Sequence, residues 1–371
     1  MLDIEVYNNS EKKGYINLSN RFIRAFRAGL FERGGFPTRV YDERELVRYI
    51  DSQHSECFER YFNELCEGIT DNEIREIIKA TQKIYHYTVE KYNKEFLVKA
   101  PILDAIYCLR VLKAVTQNHK SLRVMEIGAG SGILGCLLLQ QGYKYICTDV
   151  AQAFYLIQNQ LFGLFTDDIQ ELVIDEAYDI NSDCIHVPYW KLWDLRGQEG
   201  GIDVFICNHA ILEMHLNAIR FYLKMAQERM KRSKGGYFII RGFGWNVERS
   251  LLDMLNDFKE FDFNLIYFDF NKEVAVYGLE GESVFDEVYQ CMQNPQFTEK
   301  KEYNIYSLGK NLKAKITNGV YASNGMGNII KMELVNTQSD ITIYNLIDEY
   351  DKITKIQDSP DEEFANYWVS K

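Results

Sequence analysis

Three glycines follow an apolar run at Leu122–Met125, in the segment Glu126-Ile127-Gly128-Ala129-Gly130-Ser131-Gly132. Glycine lets a chain turn sharply and bring its backbone against a ligand with no Cβ in the way. At the carboxyl end of a strand, such a turn serves a ligand lying in the crevice beyond the sheet. Asp149 closes the next apolar run, about twenty residues after Gly128. An acidic side chain at that spacing can accept hydrogen bonds from both hydroxyls of a ribose.

Two cofactor classes share this geometry. A dinucleotide fingerprint needs Gly-x-Gly-x-x-Gly/Ala directly after the strand. Counted from Gly128, the sixth position is the bulky Ile133, and a second match from Gly130 to Gly135 starts too late and runs into the helix. The pattern that fits is acidic-x-Gly-x-Gly-x-Gly, an S-adenosylmethionine loop with Glu126 just before the turn.

The elements around this loop set its context. Candidate strands are Leu122–Ile127, Tyr145–Asp149, Ile185–Val187, Val204–Asn208, Gly236–Arg241, Leu265–Phe270 and Glu273–Gly278, with helical patterns between most of the early ones. This alternation predicts a mainly parallel sheet with helices on both faces. Only Asn271-Lys272 separates the last two candidates, too short for a parallel crossover, so they pair as an antiparallel hairpin. The expected fold is α/β, with a Rossmann-like core over 116–279. A helical extension occupies 1–115, where Thr70 and Glu73 form a capping-box signature and Asp42-Glu43-Arg44-Glu45 opens a charged helix. An accessory region occupies 280–371, with a helix near Ser283–Met292 and strands at Lys313–Thr317 and Ile329–Leu334.

The glycine loop, Asp149 and the closing hairpin together resemble the class I S-adenosylmethionine-dependent methyltransferases. The resemblance implies that Glu126, Gly128, Ala129, Gly130 and Gly132 lie along the cofactor, that Asp149 holds its ribose, and that Asn208 lies near its methionine moiety. That family often carries an acidic residue after the third strand for the adenine amino group. Here the sequence is Val187-Pro188-Tyr189-Trp190, so Tyr189 or Trp190 either stacks on the adenine ring, with Tyr189 the candidate, or is a buried core aromatic. The helical extension, the glycine loop and Cys207-Asn208-His209-Ala210-Ile211-Leu212-Glu213-Met214 together resemble the sugar O-methyltransferases of bacterial polysaccharide clusters.

Methyl transfer to a hydroxyl needs the donor in line with the acceptor oxygen and a base for the proton. His209 directly follows the fourth candidate strand, and Glu213 shares its helical face if a helix begins there. The pair is the candidate base and its orienting carboxylate. His186 reads as a core residue, and His215 as a surface one. His54, His86 and His119 have no constellation around them. Arg241, at the end of the fifth strand, is the candidate holder of an anionic acceptor group; Arg21, Arg24 and Arg27 on an early helix, and Lys231-Arg232-Ser233-Lys234, read as solvated basic faces. Asp167-Asp168 and Asp179 could offer hard ligands, but such pairs usually solvate a face, and no metal is expected.

The formal net charge of −12 disfavours nucleic acid, whose binding is driven by phosphate neutralisation. The fourth strand also lacks the Asn/Asp-Pro-Pro-aromatic motif of base-amine methyltransferases. A small polar substrate, a carbohydrate by the second resemblance, is the expected partner. A non-catalytic methyltransferase-like subunit would be expected to show a damaged glycine loop. None of the eight cysteines forms a Cys-x-x-Cys pair, which reads as reduced core thiols. The acidic N-terminus and the lack of a long apolar run give the expectation of a cytoplasmic protein without a membrane span, with oligomer formation open.

Overall fold

The computed structural model describes residues 2–26, 38–50, 70–94, 100–116, 121–177, 179–197, 201–230, 236–243, 250–269, 273–293, 302–305, 312–320 and 328–336. Arg27, Lys231–Lys234, His54, His119, Cys57 and Cys66 lie outside them.

At the centre is β1 (Arg123–Ile127), flanked by β2 (Lys144–Thr148) and β5 (Val204–Asn208), both parallel to it. The sheet extends through β3 (Ile169–Glu171) and β4 (Cys184–His186) on one side, and β6 (Tyr237–Arg241), β7 (Asn264–Asp269) and β8 (Val274–Gly278) on the other. Eight strands lie in the order β3-β4-β2-β1-β5-β6-β8-β7. Every pairing is parallel except those of β8, which runs antiparallel to both β6 and β7. The short link after β7 forces this: β8 returns antiparallel and inserts between β6 and β7.

Parallel strands covered on both faces must be apolar throughout. Val124, Met125, Ile127, Val204, Phe205, Ile206, Phe238, Ile239 and Ile240 are accordingly all buried. β3 was not expected from the sequence. It is three residues, Ile-Gln-Glu, with no apolar run to mark it.

The core helices are α5 (Ile133–Gln140), α6 (Gln152–Phe162), α7 (Leu192–Gly197), α8 (Leu216–Met230) and α9 (Leu251–Glu260). Ahead of them stand α1 (Ile4–Ile16), α2 (Asn20–Ala25), α3 (Asp71–Tyr92) and α4 (Ala100–Thr116), with a 3-10 turn at Glu43–Tyr49 where the sequence suggested a longer helix. The Thr70–Glu73 capping box forms as read, and Glu73 also receives Arg110 of α4 at 2.6 Å, tying the two helices together. These elements lie against the core: α2 meets α8, α4 meets α5 and β6, and the 3-10 turn meets α6. Beyond β8, α10 (Phe285–Gln293) precedes a three-stranded antiparallel sheet of β9 (Glu302–Ile305), β10 (Leu312–Val320) and β11 (Asn328–Asn336). Among the described residues no helix is long and apolar enough to cross a membrane.

One buried acid sits inside this core. Glu126 of β1 is 1% exposed and accepts a 2.5 Å hydrogen bond from the Tyr145 hydroxyl. Burial pushes its carboxyl up to about 8, with the Asp149 and Asp104 carboxylates adding to the effect. Its proton is retained in the folded chain and lost in the unfolded one as pH rises from the ordinary carboxyl range to about 8, so stability falls across that window. Glu126→Gln abolishes the titration. The unfolding midpoint of the variant, followed by circular dichroism, should therefore gain on wild type as pH rises from about 4.5 to about 8.

Candidate active site

The turn after β1 takes the shape the glycines permit. Gly128, Gly130 and Gly132 all have positive φ, at 70°, 54° and 75°. A Cβ on Gly128 would stand 2.9 Å from the Ala210 methyl. One on Gly132 would stand 3.0 Å from both Gln158 and Phe162. The Gly128 amide bonds to the Thr148 carbonyl at 3.0 Å, pinning the loop to the end of β2.

Asp149 completes that link. One carboxylate oxygen accepts the Gly130 amide at 2.9 Å, and the other the Ala151 amide at 2.9 Å. Its carboxyl is raised to about 6 by burial, with those amide bonds pulling the other way. Asn208, at the end of β5, presents a buried Oδ1 with no hydrogen-bond partner. These groups open onto a cleft above the carboxyl ends of the strands. His209, Glu213, His215 and Met214 line one part of it, and Phe154 and Tyr222 another; Ala25 and Phe26 come from the N-terminal extension.

His209 is not the start of a helix. Its φ is +57°, Ile211–Glu213 form a 3-10 turn, and α8 begins only at Leu216. The four-residue spacing to Glu213 is therefore not a helical pairing, although both side chains line the cleft. The imidazole instead places Nε2 3.2 Å from Asp104 of α4. Asp104 also takes the Arg241 guanidinium at 2.9 Å. The imidazole packs over Gly242, where an added Cβ would fall 2.0 Å from Nδ1.

Three expectations are corrected by these contacts. Arg241 does not open onto the crevice; it is 3% exposed, bound to Asp104, and lies 5.3 Å over the Tyr107 ring. The positive charge is spent on the carboxylate that faces His209. Tyr189 is 4% exposed and is turned away from the cleft. Its hydroxyl bonds to Glu11 at 3.1 Å and to Tyr15, while Arg39 grips Glu11 at 2.6 Å. Phe26 lies parallel to the Tyr189 ring and presents an aromatic surface to the cleft in its place. Glu126 lies buried within β1, bonded to Tyr145.

The sequence reading missed Asp104 and Phe26. Phe26 was signalled by its four-residue spacing from Phe22 on an early helix. Asp104 was an acidic residue on the apolar side of a helix, between Ile102 and Ala105, a placement that asks for a buried cationic partner. Cys108, Cys136, Cys147, Cys184 and Cys207 are free and buried. Among the described residues no three His, Cys, Asp or Glu side chains gather where they could hold a metal ion.

Breaking a buried ion pair by removing one partner usually costs about 3–5 kcal/mol, because the other charge stays buried. Arg241→Met should lower unfolding free energy on that scale in urea titration. The double variant Arg241→Met/Asp104→Leu should regain much of it.

No protein-family model matches the chain, and no curated protein matches it. Solved structures do. A TehB-like SAM-dependent methyltransferase from Corynebacterium glutamicum is 14% identical, with a TM-score of 0.33 over 54% of this chain and 96% of its own. The magnesium protoporphyrin IX methyltransferase of Synechocystis, solved with bound SAM, is 14% identical, with a TM-score of 0.29 over 64% and 97%. The glycopeptide N-methyltransferase MtfA, complexed with S-adenosylhomocysteine, is 10% identical, with a TM-score of 0.32 over 47% and 85%. The strand order, the glycine turn after the central strand and the inserted antiparallel strand make this a Rossmann-like class I methyltransferase fold.

Proposed function

We propose that the protein is an S-adenosylmethionine-dependent O-methyltransferase acting on a hydroxyl of a sugar or nucleotide-linked sugar. The observation that carries the reading is the convergence on one cleft of the glycine turn, the Asp149 carboxylate, the partnerless Asn208 Oδ1 and the His209 imidazole held by Asp104.

The cleft suits the donor. Gly128 and Gly130 expose backbone where side chains would stand in the way. Asp149 can accept from ribose hydroxyls, and Asn208 Oδ1 is a buried acceptor that a donor's ammonium or hydroxyl would satisfy. Phe26 and Phe154 offer apolar surface for a base. Gly128, Gly130, Asp149 and Asn208 would hold S-adenosylmethionine, which would supply there a methyl group on a sulfonium for an acceptor oxygen.

The rest is the work of side chains. An alcohol must lose its proton as it attacks. A carboxylate only accepts hydrogen bonds, so the Asp104 contact puts a proton on Nε2 of His209 and the lone pair on Nδ1. Asp104 thus selects the tautomer and fixes the ring, while Arg241 fixes Asp104. Glu213 and His215, on the same wall, are placed to hydrogen-bond a polyhydroxyl acceptor. The net charge of −12 and the resemblance to sugar O-methyltransferases support a small polar acceptor over nucleic acid.

Donor binding should be measurable by calorimetry. Gly130→Val should weaken it sharply, and Asp149→Ala should weaken it by roughly tenfold or more through lost ribose hydrogen bonds. Affinity should rise with pH through about 6 as Asp149 ionises and becomes a full acceptor. Unchanged affinity in both folded variants would remove the cofactor site.

Transfer should be tested with radiolabelled donor against nucleotide sugars, polysaccharide fragments and total RNA; label on RNA with salt-sensitive binding would overturn the acceptor class. His209→Ala should slow turnover by roughly a hundredfold or more, the usual scale of general-base assistance. Asp104→Asn should slow it less and leave donor affinity near wild type. Normal turnover in His209→Ala would place the base elsewhere.

A further inference from the structure

Behind the glycine turn lies a buried hydrogen-bond relay that the proposed chemistry does not use. Gln158 of α6, fully buried, places Nε2 2.6 Å from the Gly130 carbonyl and 3.3 Å from the Asp149 carboxylate. Its Oε1 lies 3.0 Å from Nε2 of His186 at the end of β4. His186 is also fully buried, and its Nδ1 lies 2.8 Å from Glu171 of β3. The imidazole stacks on Tyr155 at 3.6 Å and meets the edge of Phe162.

Counting donors fixes the direction of this relay. The Gly130 carbonyl can only accept, so the amide nitrogen of Gln158 faces it and the amide oxygen faces His186. That oxygen needs a donor, so Nε2 of His186 carries a proton. At the far end, Glu171 Oε1 accepts from the Val173 amide at 3.0 Å and bonds the Tyr155 hydroxyl at 2.6 Å. Its Oε2 accepts from Asn159 at 2.8 Å. The Glu171 carboxylate can only accept, so Nδ1 carries a proton as well, and the ring donates from Nδ1 to Glu171 and from Nε2 to Gln158.

We infer that His186 is a positioning residue for the methyl donor. Its Nε2–H satisfies the buried Gln158 amide oxygen and so holds the amide against the Gly130 carbonyl and the Asp149 carboxylate together. Without that donor the amide oxygen is left unpaired in the interior, and the side chain loses the bond that keeps its nitrogen seated on the two acceptors. The loop and Asp149 would lose their shared support, and the donor would be held less well. The inference rests on the reading of this cleft as the donor site. It gives a role to a core histidine of β4 that links Glu171 of β3 to Gln158 and, through Gln158, to the glycine turn.

The test compares three variants in the full chain by calorimetry with S-adenosylmethionine and by steady-state kinetics. His186→Phe keeps a flat ring between Tyr155 and Phe162 but removes the donor. His186→Gln places an amide N–H near the position of Nε2. Gln158→Met cuts the relay from the other end. His186→Phe and Gln158→Met should each raise the donor Kd by roughly tenfold with kcat at saturating donor little changed. Their combination should add no further loss, because both remove the same bond. His186→Gln should return affinity to within about threefold of wild type.

Equal weakening in His186→Phe and His186→Gln, or a fully additive double variant, would overturn the relay. So would loss in kcat with Kd unchanged. Should His186→Phe fail to fold, the contrast between Gln158→Met and His186→Gln decides the question alone. A wild-type chain that binds no donor would instead remove the site reading beneath the inference, a result separable from failure of the relay.

Discussion

The carboxylate of Asp149 accepts the Gly130 amide on one oxygen and the Ala151 amide on the other. Through these two bonds the turn after β1 and the start of α6 are held to the end of β2. Everything that faces the cleft is placed relative to this junction. Glycine at 128, 130 and 132 is what allows the chain to reach it, since all three adopt positive φ. The arrangement is costly in isolation, because the carboxyl sits buried and its pKa is raised. It is maintained because the strands beneath it are close-packed and apolar, and because Gln158 supports both ends of the junction from below.

Much of this could be read in the sequence, and the reasons are specific. The glycine spacing and Asp149 were visible because they obey a backbone constraint with few solutions. The antiparallel β8 was visible because two residues cannot cross over to a parallel strand. His209 could be placed because strand ends define the crevice. By contrast, the partner of His209 was misread, since the expected helix from His209 assumed ordinary backbone geometry and its φ of +57° breaks it. Asp104 lies 105 residues away in sequence, and no local period connects it to His209. Tyr189 and Arg241 were assigned by position along their strands alone. Each is instead consumed by a contact from the N-terminal extension, Glu11 and Asp104 respectively.

Ion pairs lie within the extension, between it and the core, and within the sheet: Arg39 reaches Glu11, Arg241 reaches Asp104, and His186 reaches Glu171. Such pairs contribute little net stability, because desolvation offsets their attraction. They do fix geometry, since a mispaired alternative would leave a charge in an apolar interior. Here each one orients a group next to the cleft: Tyr189 behind Phe26, Asp104 beside His209, and Gln158 beneath the loop.

The two halves of the cleft have different origins. Its floor comes from the central strands and the turn after β1. Ala25 and Phe26, and Asp104 behind His209, come from elements that precede β1 in the chain. Change in those elements can therefore reshape the upper cleft while leaving the floor untouched. Excising the Rossmann-like sheet by itself would leave His209 without the Asp104 carboxylate that contacts it, so the core and its extension build the cleft as one unit.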